Sequence, residues 1–211
     1  MARKLRLVPA VSKHTQRVLQ NVGRKTDAEY GRAGRKYLNP VEVDALIRAA
    51  KDGRHGRRDS LMISIAYHYA LRCSELIGLT WDVLDLKAGT IIIARKKNGI
   101  GGPQRLAVSD LRGLRLLKSK SDGSHHVFVS ERGGPLTRDA FAKNLVAIGE
   151  RAGVDRRLCH PHSLRHAAGH FLANSGKVNA YQLQAVMGHR DPRSTHVYVQ
   201  GVAGMIKGLW D

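Results

Sequence analysis

Two polar pairs and one late tyrosine hold most of the chemistry this sequence can offer. Arg72 and Glu75 stand three apart in Leu71-Arg72-Cys73-Ser74-Glu75-Leu76. His162 and Arg165 stand three apart in Pro161-His162-Ser163-Leu164-Arg165-His166. That spacing puts both on one helix face, close to an N-terminus whose unpaired N–H groups attract anions. His189 follows in Met187-Gly188-His189-Arg190, and nine residues later comes Tyr198 in Thr195-His196-Val197-Tyr198-Val199. Taken singly, each has an ordinary reading: an Arg at a helix end faces water, and a Tyr near the end of a chain packs in a core. Together they are a set of cations around one hydroxyl, suited to an anion.

Other chemistries lack their marks. His162 and His166 are four apart, as zinc ligands can be, but no HExxH pattern joins them and no CxxC occurs, so no metal is expected. No P-loop and no GxSxG motif is present, which removes the hallmarks of nucleotide and serine-hydrolase chemistry. Among 211 residues, 36 are Lys or Arg and 17 are Asp or Glu, giving a formal charge of +19. With a pI near 10.6, that imbalance points to a polyanionic partner, most often nucleic acid, with ribosomal-type or nonspecific association as the plain alternative. The 42% hydrophobic and 25% charged residues match globular usage and exclude wholesale disorder. No apolar run reaches the roughly 18 residues of a membrane span, and the N-terminal stretch lacks the hydrophobic segment of a secretory signal. Two cysteines, Cys73 and Cys159, make no disulfide framework, so a reducing cytoplasm is expected.

The elements that must position these residues follow from periodicity. Residues 1–36 hold ten basic and two acidic side chains with little apolar pattern, and read as a basic arm. From Tyr37 the texture is that of a domain. Asn39-Pro40-Val41-Glu42 spells a capping box, and Val43, Leu46, Ile47 and Ala50 repeat at helical spacing, with Gly53 and Gly56 as breakers. A second helix is expected over 59–71, bending into another over 73–79. Thr90–Ala94 and Gln104–Val108 read as a hairpin around Asn98–Gly102, and Val127–Val129 as a short strand. Helices are expected near 111–118, 138–152 (capped by Thr137 or Asp139), 162–175 and 179–187. The fold class is mainly α with a small β-sheet or hairpin.

In order and in local context, these residues resemble the tyrosine recombinase (phage integrase) family, from about Tyr37 to the end. LRCSELIGLTW, HPHSLRH and MGHRDPRSTHVYV are the most specific parts. The ARKKNG hairpin, GHR and the closing Gly201–Asp211 segment further resemble the short fimbrial phase-variation invertases. The resemblance implies a basic N-terminal arm over 1–36 and a tyrosine recombinase catalytic domain over 37–211. About 36 residues before Tyr37 are too few for the helical core-binding domain that most of the family carries.

What the resemblance implies for the site is specific. The family's arginines fall on Arg72 and Arg165, its histidines on His162 and His189, its nucleophile on Tyr198, and its lysine on Lys97, with Lys96 next to it. Cleaving a phosphodiester without metal needs fixed positive charge around the phosphorane, which guanidiniums supply bidentately. His162 would act as base or proton relay, His189 as a donor to a nonbridging oxygen, and Lys97 as the acid for the leaving 5′-oxygen. Glu75 would orient Arg72, while His166, His170 and His196 would serve packing or the surface. A covalent 3′-phosphotyrosine keeps the bond energy, so no cofactor is required. The expected function is site-specific recombination of duplex DNA, for inversion or integration. A type IB topoisomerase-like relaxing enzyme and an inactive DNA-binding regulator are the alternatives. Expected partners are double-stranded DNA with inverted-repeat sites and three further copies in a homotetramer on DNA, with room for DNA-bending accessory proteins and no membrane. The expected location is the cytoplasm, with the nucleoid.

Overall fold

Four residues start the first helix. In the computed structural model, which describes residues 37–93, 95, 102–121 and 123–199, the Asn39 side chain accepts from the Glu42 N–H at 2.8 Å. The Glu42 carboxylate accepts in return from the Asn39 N–H at 2.9 Å, and Pro40 takes the first helical position. Helix α1 (Pro40–Lys51) buries Val43, Leu46 and Ala50. Gly53 lies in the turn that follows, but Gly56 is not a breaker: it opens α2 (Gly56–His68). A Cβ there would stand 2.1 Å from the Lys51 carbonyl oxygen, so only glycine lets the two helices meet so closely. Every residue from Ser60 to Ala66 is buried, which places α2 in the middle of the core.

The chain turns at Tyr69-Ala70, where Ala70 takes φ +49°, and enters the short α3 (Cys73–Ile77). A small antiparallel sheet follows in the order β1 (Leu84–Asp85), β2 (Thr90–Ile93), β3 (Gly102–Arg105). Ile91 pairs with Leu84 on one side and Gln104 on the other. The return strand therefore begins and ends earlier than expected, because Val108 already opens α4 (Val108–Lys118), and β1 was not foreseen. The stretch at Val127–Val129 is no strand; isolated bridges Thr80↔His126 and Val129↔Pro135 flank it.

Three further helices carry most of the site. Helix α5 (Arg138–Ala152) is capped by Thr137, whose hydroxyl accepts from the Ala140 N–H at 3.1 Å. Helix α6 (Pro161–Asn174) starts at His160 with Pro161 in the first turn. Helix α7 (Ala180–Met187) has an Asn179–Gln182 capping box and ends at Gly188 with φ +59°. Tyr198 rides on a last short helix, α8 (Arg193–Val199). The main core gathers α1, α2, α5 and the sheet, with Leu46, Met62, Ile65, Phe128, Phe141 and Leu145 fully buried. A second cluster of Ala70, Ala168, Leu183, Met187 and Tyr198 joins α6, α7 and α8.

One buried carboxylate ties α4 to the end of α2. Asp110, 1% exposed, accepts from the Ser64 hydroxyl at 2.5 Å, His68 Nδ1 at 2.7 Å and the Tyr69 hydroxyl at 3.1 Å. The Tyr69 oxygen in turn accepts from the Ala107 N–H at 2.8 Å. Removing the carboxylate strands three donors, each costing about 1–3 kcal/mol when left unpaired. Asp110→Ala should therefore destabilise the fold by roughly 3 kcal/mol or more, against about 1 kcal/mol for the half-buried cap change Asn39→Ala. Urea titration of the two variants measures both.

Candidate active site

Glu75 is the centre from which the site is built. As the third residue of α3 it reaches back to accept from the Arg72 N–H at 2.9 Å. One carboxylate oxygen then takes Arg72 Nη1 at 2.8 Å and the other takes Arg95 Nη1 at 3.0 Å. Burial by itself would raise the Glu75 carboxyl, but the Arg72 N–H and the two guanidiniums outweigh it and hold its pKa below the ordinary carboxylate value. The side chain stays ionised and clamps both arginines.

Carbonyls at the C-terminal ends of two helices do the rest. Just past α2, the Tyr69 carbonyl accepts from Arg95 Nη2 at 2.9 Å. The Ala70 carbonyl accepts from Arg95 Nη1 at 3.3 Å and from Arg165 Nη1. At the end of α7, Val186 accepts from Arg95, Met187 from Arg165, and Gly188 from Arg72 at 3.5 Å. These are the carbonyls that a helix end leaves without intrahelical partners, and they carry partial negative charge. The left-handed turn at Ala70 aims one of them at two cations. Gly188 is needed twice over, for its positive φ and because a Cβ would stand 2.6 Å from the Arg95 stem.

Among the described residues, the three guanidiniums of the site outnumber its single carboxylate. Arg165, 2% exposed, has its pKa pushed down to about 10 by burial and by the charges of Arg72 and Arg95, so it remains charged at neutral pH. Burial likewise lowers His189 to about 4, with Arg165, Arg72 and Arg95 adding to the effect. Neutral His189 meets the Thr195 hydroxyl through Nδ1 at 3.0 Å. His162 sits exposed in the first turn of α6, its pKa also lowered by burial and by Arg165.

Tyr198 packs inside this group, 4% exposed. Its hydroxyl bonds to His166 Nδ1 at 2.8 Å. Its ring lies edge-on to His170 at 5.0 Å and stacked with His189 at 6.2 Å. Tyr37 backs His170 at 3.6 Å. Gly169 faces the ring so closely that a Cβ would stand 2.6 Å from it.

Arg72, His162, Arg165, His189 and Tyr198 are thus gathered by α3, α6, the turn after α7 and α8. Lys97 and Lys96, the N-terminal arm 1–36 and the segment 201–211 lie outside the described residues. Sequence reasoning missed Arg95, His166 and Gly169. Arg95 hid at the head of a basic run, and His166 was assigned to packing or the surface. A signal was present: His162, His166 and Gly169 recur at helical spacing on the face that carries Arg165. Among the described residues no group of His, Cys, Asp and Glu could hold a metal ion, and no helix is long and apolar enough to cross a membrane.

Comparison with known proteins gives a matching family model, relatives in sequence and a shared fold. The sequence model of the phage integrase family matches residues 36–203. The chain is similar to the type 1 fimbriae regulatory protein FimE of Escherichia coli K12, 36% identical over 183 residues, covering 84% of this chain and 91% of that protein. It is also similar to FimB of the same strain (33% identical, 84% and 90%) and to tyrosine recombinase XerC of Xylella fastidiosa M23 (32% identical, 77% and 55%). Its fold is shared with the crystal structure of XerA recombinase (TM-score 0.69, 22% identity, 84% of this chain and 64% of that one). It is shared as well with the Tn1549 transposon integrase in complex with transposon right end DNA (TM-score 0.72, 18% identity, 85% and 68%).

Two outcomes follow from the packing and the charges. Gly169→Ala should expel the Tyr198 ring from its seat, lowering stability by about 1–3 kcal/mol and raising nitration of Tyr198 measured by mass spectrometry. His166, His170 and His189 are held at about 4 in the fold against 6.5 ordinarily, so the unfolded chain binds more protons between those values. Their contribution is complete above pH 6.5 and is lost as pH falls through about 4. Urea midpoints should decline across that window, and His170→Gln should make the decline shallower.

Proposed function

The chain belongs to the phage integrase family and is a tyrosine-type site-specific DNA recombinase, and we propose that it cuts and rejoins duplex DNA through a phosphotyrosine formed at Tyr198. The observation that carries this reading is the Tyr198 hydroxyl, seated among the imidazoles beside Arg165 and the two guanidiniums, Arg72 and Arg95, that share the Glu75 carboxylate. Such a pocket is short of negative charge, and a phosphodiester monoanion supplies it. Relaxing DNA as a topoisomerase and binding it as an inactive regulator are not favoured.

Arg72 is the partly exposed guanidinium, with 31% of its side chain accessible while Glu75 holds one edge. It offers its remaining N–H groups to a phosphate oxygen. Arg165 adds charge from below, and its bonds to Ala70 and Met187 fix it before substrate arrives, so little reorganisation is left for the reaction. When the Thr195 hydroxyl donates to His189 Nδ1, the His189 proton sits on Nε2, which can donate to a nonbridging oxygen. His162, exposed at the start of α6, exchanges protons with solvent. Lys97 is assigned to protonate the leaving 5′-oxygen. In the chemical step the Tyr198 oxygen bonds to phosphorus as the bond to the 5′-oxygen breaks. A 5′-hydroxyl from another strand reverses the step without ATP or metal.

The substrate proposed is double-stranded DNA carrying inverted-repeat sites, recombined by four copies of the chain, with inversion of the intervening segment as the outcome. Residues 1–36 would add phosphate contacts through their ten basic side chains. Tyr198→Phe should fold and bind its site as before, and should form no covalent adduct on a nicked suicide duplex. Tyr37→Phe and Tyr181→Phe should retain the adduct. An adduct surviving in Tyr198→Phe would place the nucleophile elsewhere.

A further inference from the structure

The hydroxyl of Tyr198 has a partner that the sequence motif did not nominate. His166 lies one turn beyond His162 on α6, and its Nδ1 is 2.8 Å from the Tyr198 oxygen. Gly169 and His170 pack against the tyrosine ring and Tyr37 backs His170, so the contact is set by packing. We propose that His166 is the base that takes the phenolic proton of Tyr198 during strand cleavage. The assignment rests on Tyr198 being the nucleophile and moves the base from His162 to the residue four further on.

The protonation states support the direction of transfer. Burial, with the charges of His162, Arg165 and His160, lowers His166 to about 4, so at neutral pH its ring is neutral. Burial raises the Tyr198 hydroxyl, against the pull of Arg165, so the phenol keeps its proton. The bond therefore runs from the tyrosine O–H to the imidazole nitrogen, the arrangement from which a base removes a proton. A base held near 4 is weak in the free protein. A bound phosphate monoanion neutralises part of the field of Arg72 and Arg165 and raises the affinity of His166 for a proton. Basicity thus increases when substrate is in place. The groups around His166 are His160 at the cap of α6, His162, Arg165 and His170 on α6, Tyr198 on α8, and His189 from the turn between α7 and α8.

The step balances as written. The tyrosine oxygen–phosphorus bond forms and the phosphorus–5′-oxygen bond breaks; the phenolic proton moves to His166 Nδ1, and the 5′-oxygen takes a separate proton from the acid. The phosphate remains a monoanionic diester. The exposed His162, edge-on to His166 with ring centroids 4.2 Å apart, offers an exit for the proton.

Single-turnover adduct formation on a nicked duplex tests the proposal in the full chain. His166→Ala removes the contact, whereas His166→Asn keeps an acceptor near Nδ1 that does not protonate near neutrality. Both should cleave about 10² to 10⁴-fold more slowly, with site binding retained. Imidazole in the buffer should restore part of the His166→Ala rate. A fluorinated tyrosine of lower pKa at position 198 should narrow the gap between His166→Ala and the unmodified chain, and the acid limb of the pH–rate profile should vanish in His166→Asn. A His166→Asn rate equal to that of the unmodified chain would reduce His166 to a hydrogen-bonding support and overturn the proposal. A faster His166→Ala would do the same, making the contact a latch. If His166→Ala does not fold, judged by circular dichroism, His166→Asn decides alone. An adduct in Tyr198→Phe would instead refute the nucleophile, a separate failure.

Discussion

Three guanidiniums, two of them buried, cannot be packed side by side unless something takes up their charge, and the fold around them is organised to do that. One carboxylate, Glu75, bonds two of them. Five backbone carbonyls at the ends of α2 and α7 bond all three. A buried ion pair repays its desolvation only when the remaining hydrogen-bonding capacity is also met. Here the carbonyls meet most of it; among the described residues the buried Arg95 Nε finds no partner. The left-handed Ala70 costs about 1–2 kcal/mol of backbone strain, offset by the two arginine bonds to its carbonyl.

From that compensation the rest of the architecture acquires its reasons. The Asp110 network fixes Tyr69, and so fixes the turn whose carbonyls face the arginines. Gly188 ends α7 where Arg95 passes beneath it. The second hydrophobic cluster, which includes Ala70, Met187 and Tyr198, packs the last two helices against α6 and brings the tyrosine to the cations. Stability and site are the same contacts here. Substitutions meant to probe chemistry at Arg95, Glu75 or Arg165 would also loosen two helix ends.

The residual positive charge explains the histidines. His162, His166, His170 and His189 all have lowered pKa values, with burial first and, for all but His170, neighbouring arginines among the causes. A neutral imidazole offers one nitrogen as an acceptor and the other as a donor, whereas the charged form can only donate. In the mechanism proposed, an arriving phosphate would shift that balance by offsetting part of the arginine field.

Local signals in the sequence were enough for much of this. The capping box at Asn39 determined one helix start, and Thr137, weighed there with Asp139, a second, since a cap depends only on neighbours in the chain. The order of Arg72, His162, Arg165, His189 and Tyr198 determined the family and the class of chemistry, since those residue types are what a metal-free attack on phosphate demands. Local signals failed at Gly56 and at the return strand, where the approach of α2 to α1 and the burial of Asp110 set the boundaries. Only the tertiary structure revealed Arg95 as the second partner of Glu75, Gly169 as the seat of the tyrosine ring, and His166 as the hydroxyl's partner. Each of these depends on helices that meet across dozens of residues of chain, and periodicity along one helix carries no information about what packs against it.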